Sequence, residues 1–414
     1  MRKVLFMILT VCLFICLSAS FAVAAPGEGP IKATPVSAKA AAAEKEDDGL
    51  LTYEAALELA LKNSITLRNE KQDVLRAQKV RDQLSDMVRY TPVGFGNGED
   101  DERARSALSS FISADTGWQL AKKQVEIREE KIAHELRGYF NEMKKKVAEI
   151  ELAVDFLAFT ELKLQQTVVK NQIGVESNFQ LQDMQKQVAD EKKQIEILKK
   201  QLGDIYLKLN HLQGKDKDAR YELAPDKAVA VEEEKAEGKT DGKVKGKEEA
   251  VVKDKTAGVF LAEDFNLERH ISRVLANDPV IWMQEQKINL AELELSLYTY
   301  NTMSAMSTPY AAKEIDLIKE KNNLTSLRQG RETAVRAAYS QFRASEDLYR
   351  TLEIKLARAE EGLAAVRIRH KVGMAVASDV RQAELNIAKL EHEMNNILVD
   401  YAQAKTVFDK PWLQ

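Results

Sequence analysis

The chain has 414 residues with 61 basic and 65 acidic side chains, for a net charge of −4. That balance does not favour nucleic acid, which selects a basic face. A charged content of 30%, with only 8 prolines and 18 glycines, suits long solvated helices rather than a catalytic pocket.

The first residues read as a targeting segment. Arg2 and Lys3 make a positive n-region, Val4 to Leu17 an apolar h-region, and Ala22-Val23-Ala24 a small-residue cleavage site. Cleavage after Ala24 makes residues 1–24 a signal peptide. Loss of Arg2 and Lys3 takes the net charge of the exported chain from −4 to −6. The apolar run is short for a membrane span of about 20 residues, and no later stretch is long and apolar enough to cross a bilayer as a helix. Both cysteines, Cys12 and Cys16, lie in this segment, so the mature chain has no disulfide, thiolate or cysteine–metal chemistry. Ile15 stands where a lipoprotein signal needs a small residue before Cys16. Residues 25–49 follow as a segment expected to be disordered.

A first helical repeat is predicted over 50–213. It opens with Leu51-Thr52-Tyr53-Glu54-Ala55-Ala56-Leu57, where Thr52 is a plausible N-cap and Glu54 falls in the first turn. A turn is expected near Thr91-Pro92, then a long helix carrying the seam Leu136, Met143, Ile150, Leu157, Leu164. The stretch Lys170-Asn171-Gln172-Ile173-Gly174-Val175-Glu176-Ser177 ends that helix and starts another. The next seam is Leu181, Met184, Val188, Glu191, Ile195, Leu198, Leu202, Ile205, Leu209, Leu212, in steps of three and four. A heptad repeat held this long specifies coiled-coil packing. Glu191 is its one polar position and reads as solvated or register-setting.

From about Gly214 to Asp264 the chain is rich in Lys, Glu, Asp, Gly and Ala, and Tyr221 to Phe260 encloses no aromatic residue. It buries too little surface to offset its ordering entropy, so 214–264 is expected to be a disordered charged linker.

A second helical repeat is predicted over 265–410. Its opening, Phe265-Asn266-Leu267-Glu268, answers Leu51-Thr52-Tyr53-Glu54, and the same offset carries Asn63 onto Asn277. One opening helix is expected from Asn266 to about Tyr300, then a distal turn at Thr308-Pro309. A helix from about Lys313 to His370 would be roughly 87 Å long, with the seam Val335, Phe342, Tyr349, Leu356, Leu363. Its turn is Arg369-His370-Lys371-Val372-Gly373-Met374-Ala375-Val376, and Val335 precedes Gly373 by the same distance as Leu136 precedes Gly174. The last seam is Val376, Val380, Ala383, Ile387, Leu390, Met394, Ile397, Tyr401, Ala404, Phe408. Self-similarity on this scale means a repeated structural unit. The fold class is therefore all-α: long antiparallel coiled-coil hairpins in two tandem repeats, one long helix lying against two shorter ones end to end. The turns at Gly174 and Gly373 lie at one tip and those at Pro92 and Pro309 at the other.

The opening Leu-Thr-x-Glu-Ala-Ala-Leu-x-x-Ala-Leu-x-Asn at Leu51 and the run from Val372 to Ala383 resemble the TolC-type outer-membrane efflux protein family. The resemblance covers roughly 50–213 and 265–410. It implies a homotrimer whose hairpins form a helical tunnel protomer by protomer. It also implies a location in the outer membrane or elsewhere in the cell envelope, a periplasmic adaptor (membrane fusion protein) and an inner-membrane exporter as partners, and passive export of small molecules or proteins. It makes Gly174, Val175, Gly373 and Met374 the partner-contact positions; read from the residues alone, each glycine is equally a helix C-cap. The family's two barrel strands per repeat need about 9–11 alternating residues each. The stretches available, Val88–Trp118 and Thr302–Tyr310, do not offer them, so little or no β-structure is expected. The alternative function is a non-conducting coiled-coil scaffold of the envelope.

No cofactor or metal site is expected. The histidines His134, His211, His270, His370 and His392 make no metal-spaced pair, and Glu391-His392-Glu393 lacks the second histidine of a zinc-protease helix. Gly94-x-Gly96-x-Gly98, read here as part of an acidic loop, follows no strand pattern. No phosphate loop, dinucleotide fingerprint or nucleophile elbow is present, and an enzyme is not expected. Trp118, Trp282 and Trp412 are isolated in sequence and read as packing residues.

Overall fold

The computed structural model describes residues 50–91, 99–223, 260–261, 265–297 and 309–413. The expected signal peptide, the segment 25–49, Pro92 and most of the linker lie outside them.

Eight α-helices account for nearly all of the described residues. The first half holds α1 (Tyr53–Asn63), α2 (Ile65–Tyr90), α3 (Glu99–Gln172) and α4 (Asn178–Gln213). The second holds α5 (Leu267–Asn277), α6 (Pro279–Ser296), α7 (Tyr310–Lys371) and α8 (Ala377–Asp409), closed by a 3-10 turn at Pro411–Leu413. Two short strands, β1 (Leu50–Leu51) and β2 (Glu222–Leu223), pair in parallel. At the usual helical rise α3 is about 111 Å long and α7 about 93 Å.

Each long helix packs against two shorter helical runs. Helix α3 lies against α2 and α1 along one part and α4 along the other; α7 does the same with α6, α5 and α8. Contact between α3 and α8 joins the halves, so α4 and α7 form the two edges of a four-helix strip.

The heptad seams form the core. Leu136, Phe140 and Met143 of α3 meet Ile205 and Leu209 of α4, with Leu51 and Ala56 closing the cluster. Val335 and Phe342 of α7 meet Tyr401 and Phe408 of α8 and Ile271 and Val274 of α5. A side chain such as Phe140, Phe342 or Phe408, each at most 2% exposed, contributes about 1.5–3 kcal/mol through burial. Glu191 is half-buried in its seam. One oxygen accepts from the Thr160 hydroxyl at 2.9 Å and the other is enclosed without a partner.

The α3–α8 joint is polar. Glu130 receives Lys410 Nζ at 2.7 Å and the Trp412 indole N–H at 2.8 Å. Further along, Asn141 donates to Gln403 (3.2 Å), Lys145 pairs with Asp400 (2.5 Å) and Arg381 with Asp155 (3.4 Å). Such half-exposed contacts fix register more than they stabilise.

Four expectations need correction. The opening helix of each half is two helices, broken at Ser64 and at Asp278. Ser64 Oγ accepts from Leu67 N at 3.2 Å. Asp278 Oδ1 accepts from Val280 N and Ile281 N, with Pro279 at the first helical position. One extended residue thus caps the following helix and re-aims the chain. Second, the acidic run Glu99-Asp100-Asp101-Glu102 is the first turn of α3 rather than a loop, where the helix dipole favours acids. Third, the long helix of the second half starts at Tyr310, capped by Pro309, rather than near Lys313.

Fourth, both described ends of the segment 214–264 are packed. Gly214, at φ +68, closes α4, with Lys215 N donating to Asn210 O at 2.9 Å. The Tyr221 hydroxyl then donates to Asn210 Oδ1 at 2.9 Å. At the far end Phe260 packs edge-on to Tyr349 and Tyr401, while Leu261 N donates to the Tyr401 hydroxyl at 2.9 Å. That hydroxyl donates to buried Glu346; burial first, and then this carboxylate, push the phenol well above its usual pKa.

Candidate functional site: the paired hairpin tips

Both tip turns are built alike. Gly174 and Gly373 each adopt φ +76. In the first turn Gly174 N donates to Asn171 O (3.0 Å) and Val175 N to Lys170 O (2.8 Å). In the second, Gly373 N donates to His370 O (3.0 Å) and Met374 N to Arg369 O (2.8 Å). This is the Schellman arrangement, in which a left-handed residue lets the last helical carbonyls be satisfied close by. Glycine adopts that conformation without steric cost, and a Cβ at either position would meet nothing within 4 Å. The requirement is therefore conformational, and the space around both turns is open.

That space is lined by apolar side chains. Val175 is 69% exposed and Met374 79%, and Ile173, Phe179, Val372 and Val376 are also at least 60% exposed. Sequence reasoning selects Gly174, Val175, Gly373 and Met374 and passes over the other four. Their signal is present, since Ile173, Phe179 and Val372 are large apolar residues off the buried seams. Both turns thus leave large apolar side chains in solvent. The tips lie side by side: Lys163 Nζ of α3 donates to Gln382 of α8 at 3.2 Å. Between them is a groove of about 700 Å³ walled by Thr167, Val169 and Met184 on one side and Val376, Ser378 and Asp379 on the other.

The two turns differ in charge and bracing. In the first, Lys170 pairs with Glu176 at 3.0 Å, and Asn171 Nδ2 reaches both Glu176 O and Asn178 Oδ1 at 3.0 Å. Ser177 and Gln180 add a reciprocal capping box. In the second, Arg369 and Lys371 have no carboxylate partner among the described residues, and Val376 offers no side-chain cap, so only Asp379 accepts from Val376 N at 3.2 Å. One tip is neutral and cross-braced; the other is basic and held by its backbone bonds and the single Asp379 contact.

Pro309 sits far from this site, at the other end of α7. Its carbonyl accepts from Ala312 N (3.0 Å) and Lys313 N (3.2 Å) to start the helix. Among the described residues no three His, Cys, Asp or Glu side chains gather as metal ligands, and no helix is long and apolar enough to cross a membrane.

No family model and no curated protein matches the chain. Solved structures do. The outer membrane protein VceC from Vibrio cholerae superimposes with a TM-score of 0.59 at 10% identity, over 86% of this chain and 95% of its own. The outer-membrane channel OprN gives 0.58 at 12% identity, over 87% and 91%. The Campylobacter jejuni CmeC outer membrane channel gives 0.57 at 12% identity, over 94% and 93%. The chain has the TolC-type fold. The likeness extends over most of both partners, so the helical scaffold is shared as a whole. The identities are too low to carry function residue by residue.

Proposed function

We propose that this chain is an exported, TolC-like subunit that closes with two further copies into an α-helical conduit of the cell envelope. In this reading its tips dock a periplasmic adaptor, and an inner-membrane exporter drives small molecules or proteins through it. The observation that carries the reading is that both edges of the strip expose apolar side chains. Edge helix α4 exposes Phe179, Ile197 and Leu207, and edge helix α7 exposes Ile368, Ile354 and Leu348. Phe179 and Ile368 stand equally far from their glycine turns, and the other two on each edge follow in order toward the distal end. Two different apolar edges favour head-to-tail contacts, which close into a ring when the rotation between successive copies closes. The open apolar tips at Val175 and Met374 then lie together at one rim, where an adaptor hairpin would bury them.

Light scattering of the mature protein tests the ring. A trimer is expected, converted to smaller species by Phe179→Glu or Ile368→Glu; a monomer at all concentrations refutes the reading. Copurification with an adaptor, lost in Val175→Asp with Met374→Asp, tests the tips.

A second reading, a non-conducting coiled-coil scaffold, is favoured by the distal ends. Only residues 91–98 separate α2 from α3, and only 297–309 separate α6 from α7. Two spanning strands need about 20 residues. A trimer without conductance in a planar bilayer would select this second reading.

A further inference from the structure

The three tryptophans, far apart in sequence, lie at one level of the joint between the two halves. Trp118 of α3 and Trp282 of α6 wall a single groove of about 600 Å³, together with Lys122, Lys123, Glu126 and Asn277. Trp412 packs close by, against Ile127, Val280 and Met283. Arg81 lies 4.5 Å from the Trp118 ring centroid and Lys122 4.6 Å. Arg81 is neutralised by Asp115 at 2.5 Å, and Lys123 by Glu126 at 2.6 Å. Lys122 has no carboxylate partner among the described residues and is left as the net charge of the groove. The Trp118 indole N–H is enclosed and finds no acceptor among the described residues.

The two halves differ at the positions that build this groove. The relation that carries Gly174 onto Gly373 also carries Trp118 onto Leu317, and the one that carries Asn63 onto Asn277 carries Arg68 onto Trp282. Lys122 corresponds to Lys321, which is paired with Glu292 at 2.7 Å; the position matching Glu292 is Gln78. Lys122 therefore lacks the partner that its counterpart in the second half has.

We propose that this groove is a binding site for small aromatic organic anions. The ring of such a ligand would lie against Trp282, and its anionic group would reach Lys122 beside Lys123. A junction groove of several hundred Å³ is a common place for a small-molecule site, and here the two aromatic walls stand among Gln119, Lys122, Lys123, Glu126, Asn277 and Asp278, so recognition would rest on polar contacts as much as on apolar ones. The lone cation sets the preferred sign. The proposal is independent of whether the chain conducts.

The test uses the full mature protein and anilinonaphthalene sulfonate, an aromatic monoanion that accepts energy from tryptophan. Dye at the tips lies about 80 Å along α3 from Trp118, too far for transfer, so only dye near the joint quenches. Saturable quenching at one dye per chain is expected. Lys122→Glu should bind at least about tenfold more weakly, and Lys122→Gln should fall between. The tip pair Val175→Asp with Met374→Asp should leave the quenching unchanged, and far-ultraviolet circular dichroism should show every variant folded. Absence of saturable transfer, undiminished binding by Lys122→Glu, or equal quenching by a naphthyl ammonium cation would each overturn the proposal.

Discussion

Among the described residues three glycines take positive φ, and they do so for different reasons that mutation can separate. Gly174 and Gly373 face open space, so alanine there meets only the left-handed backbone cost, about 1–2 kcal/mol. Gly214 carries the same backbone demand at φ +68, but an added Cβ would stand 2.8 Å from Asn63 Cβ and 3.0 Å from its Cγ and Nδ2. Asn63 ends α1 and donates to Gln213 O at 2.6 Å. Gln213 is fully buried. Displacing Asn63 orphans an enclosed carbonyl, which adds about 1–3 kcal/mol. Gly214→Ala should therefore cost about 2–5 kcal/mol. Gly203 and Gly330 lie inside helices with nothing within 4 Å of a Cβ, so alanine there should gain about 0.5–1 kcal/mol. Urea unfolding of the mature chain, followed by circular dichroism at one fixed protein concentration, gives all five values. Equal losses for Gly214→Ala and Gly373→Ala would refute the close-approach argument.

Asp278→Ala should cost about 3–5 kcal/mol, because it removes two caps and strands Arg331, held at 2.9 Å and largely buried. Arg331 also donates to Pro411 O at 2.7 Å, so tryptophan emission should report a loosened Trp412 before global unfolding. Glu191→Leu should stabilise by about 1 kcal/mol in the same urea assay, since it removes a half-satisfied carboxylate while Thr160 keeps its bond to Phe156 O at 3.1 Å. The raised pKa of Tyr401 makes stability fully present below its unfolded value of 10.0 and lost as pH rises beyond it. Tyr401→Phe should flatten that alkaline decline in a pH series of unfolding midpoints; an unchanged slope would count against the buried Tyr401 phenol as its origin.

The features legible in the residues obey local rules. The heptads place Met394, Tyr401 and Phe408 inside, and the N-caps Thr52 and Asn266 are readable because capping acts within one turn. The break at Asp278 carries the signature Asp-Pro and is readable too. The matching break at Ser64-Ile65 carries almost none, because Ser and Ile are also ordinary mid-helix residues; only the offset between the halves connects the two. The acidic turn of α3 reads as loop because three glycines precede it, whereas the helix dipole makes acids favourable there. Gly214 reads as the start of a spacer because its partner, Asn63, lies at the far end of the first repeat in sequence. Convergence of the tryptophans is hidden for the same reason: it depends on how α3 and α6 meet across the joint, and no local pattern encodes that.

The two halves agree in their boundaries except at the distal end and at the end of α4, which has 36 residues against 33 in α8. One constant offset relates the starts and ends of α1 and α5 and the starts of α2 and α6; a second, smaller one relates the ends of α3 and α7 and the starts of α4 and α8. The rest of the extra length of the first half therefore falls between the α2 start and the α3 end, away from the tips. Helix α2 has 26 residues against 18 in α6, and α3 has 74 against 62 in α7. These differences amount to about 12 and 18 Å of helix. In the proposed ring this makes three tall hairpins alternate with three short ones, so the distal rim is notched while the tip rim is level. A level rim suits a partner that contacts all six tips alike. A notched rim exposes the flanks of the tall hairpins, where Met87, Tyr90 and Leu108 already face solvent. Whatever meets that end must fit three projections and three recesses. Shortening α2 and α3 together to the lengths of α6 and α7 should therefore leave trimer formation and tip docking intact and change only what the distal end contacts, a separation measurable by light scattering and membrane fractionation of the same variant.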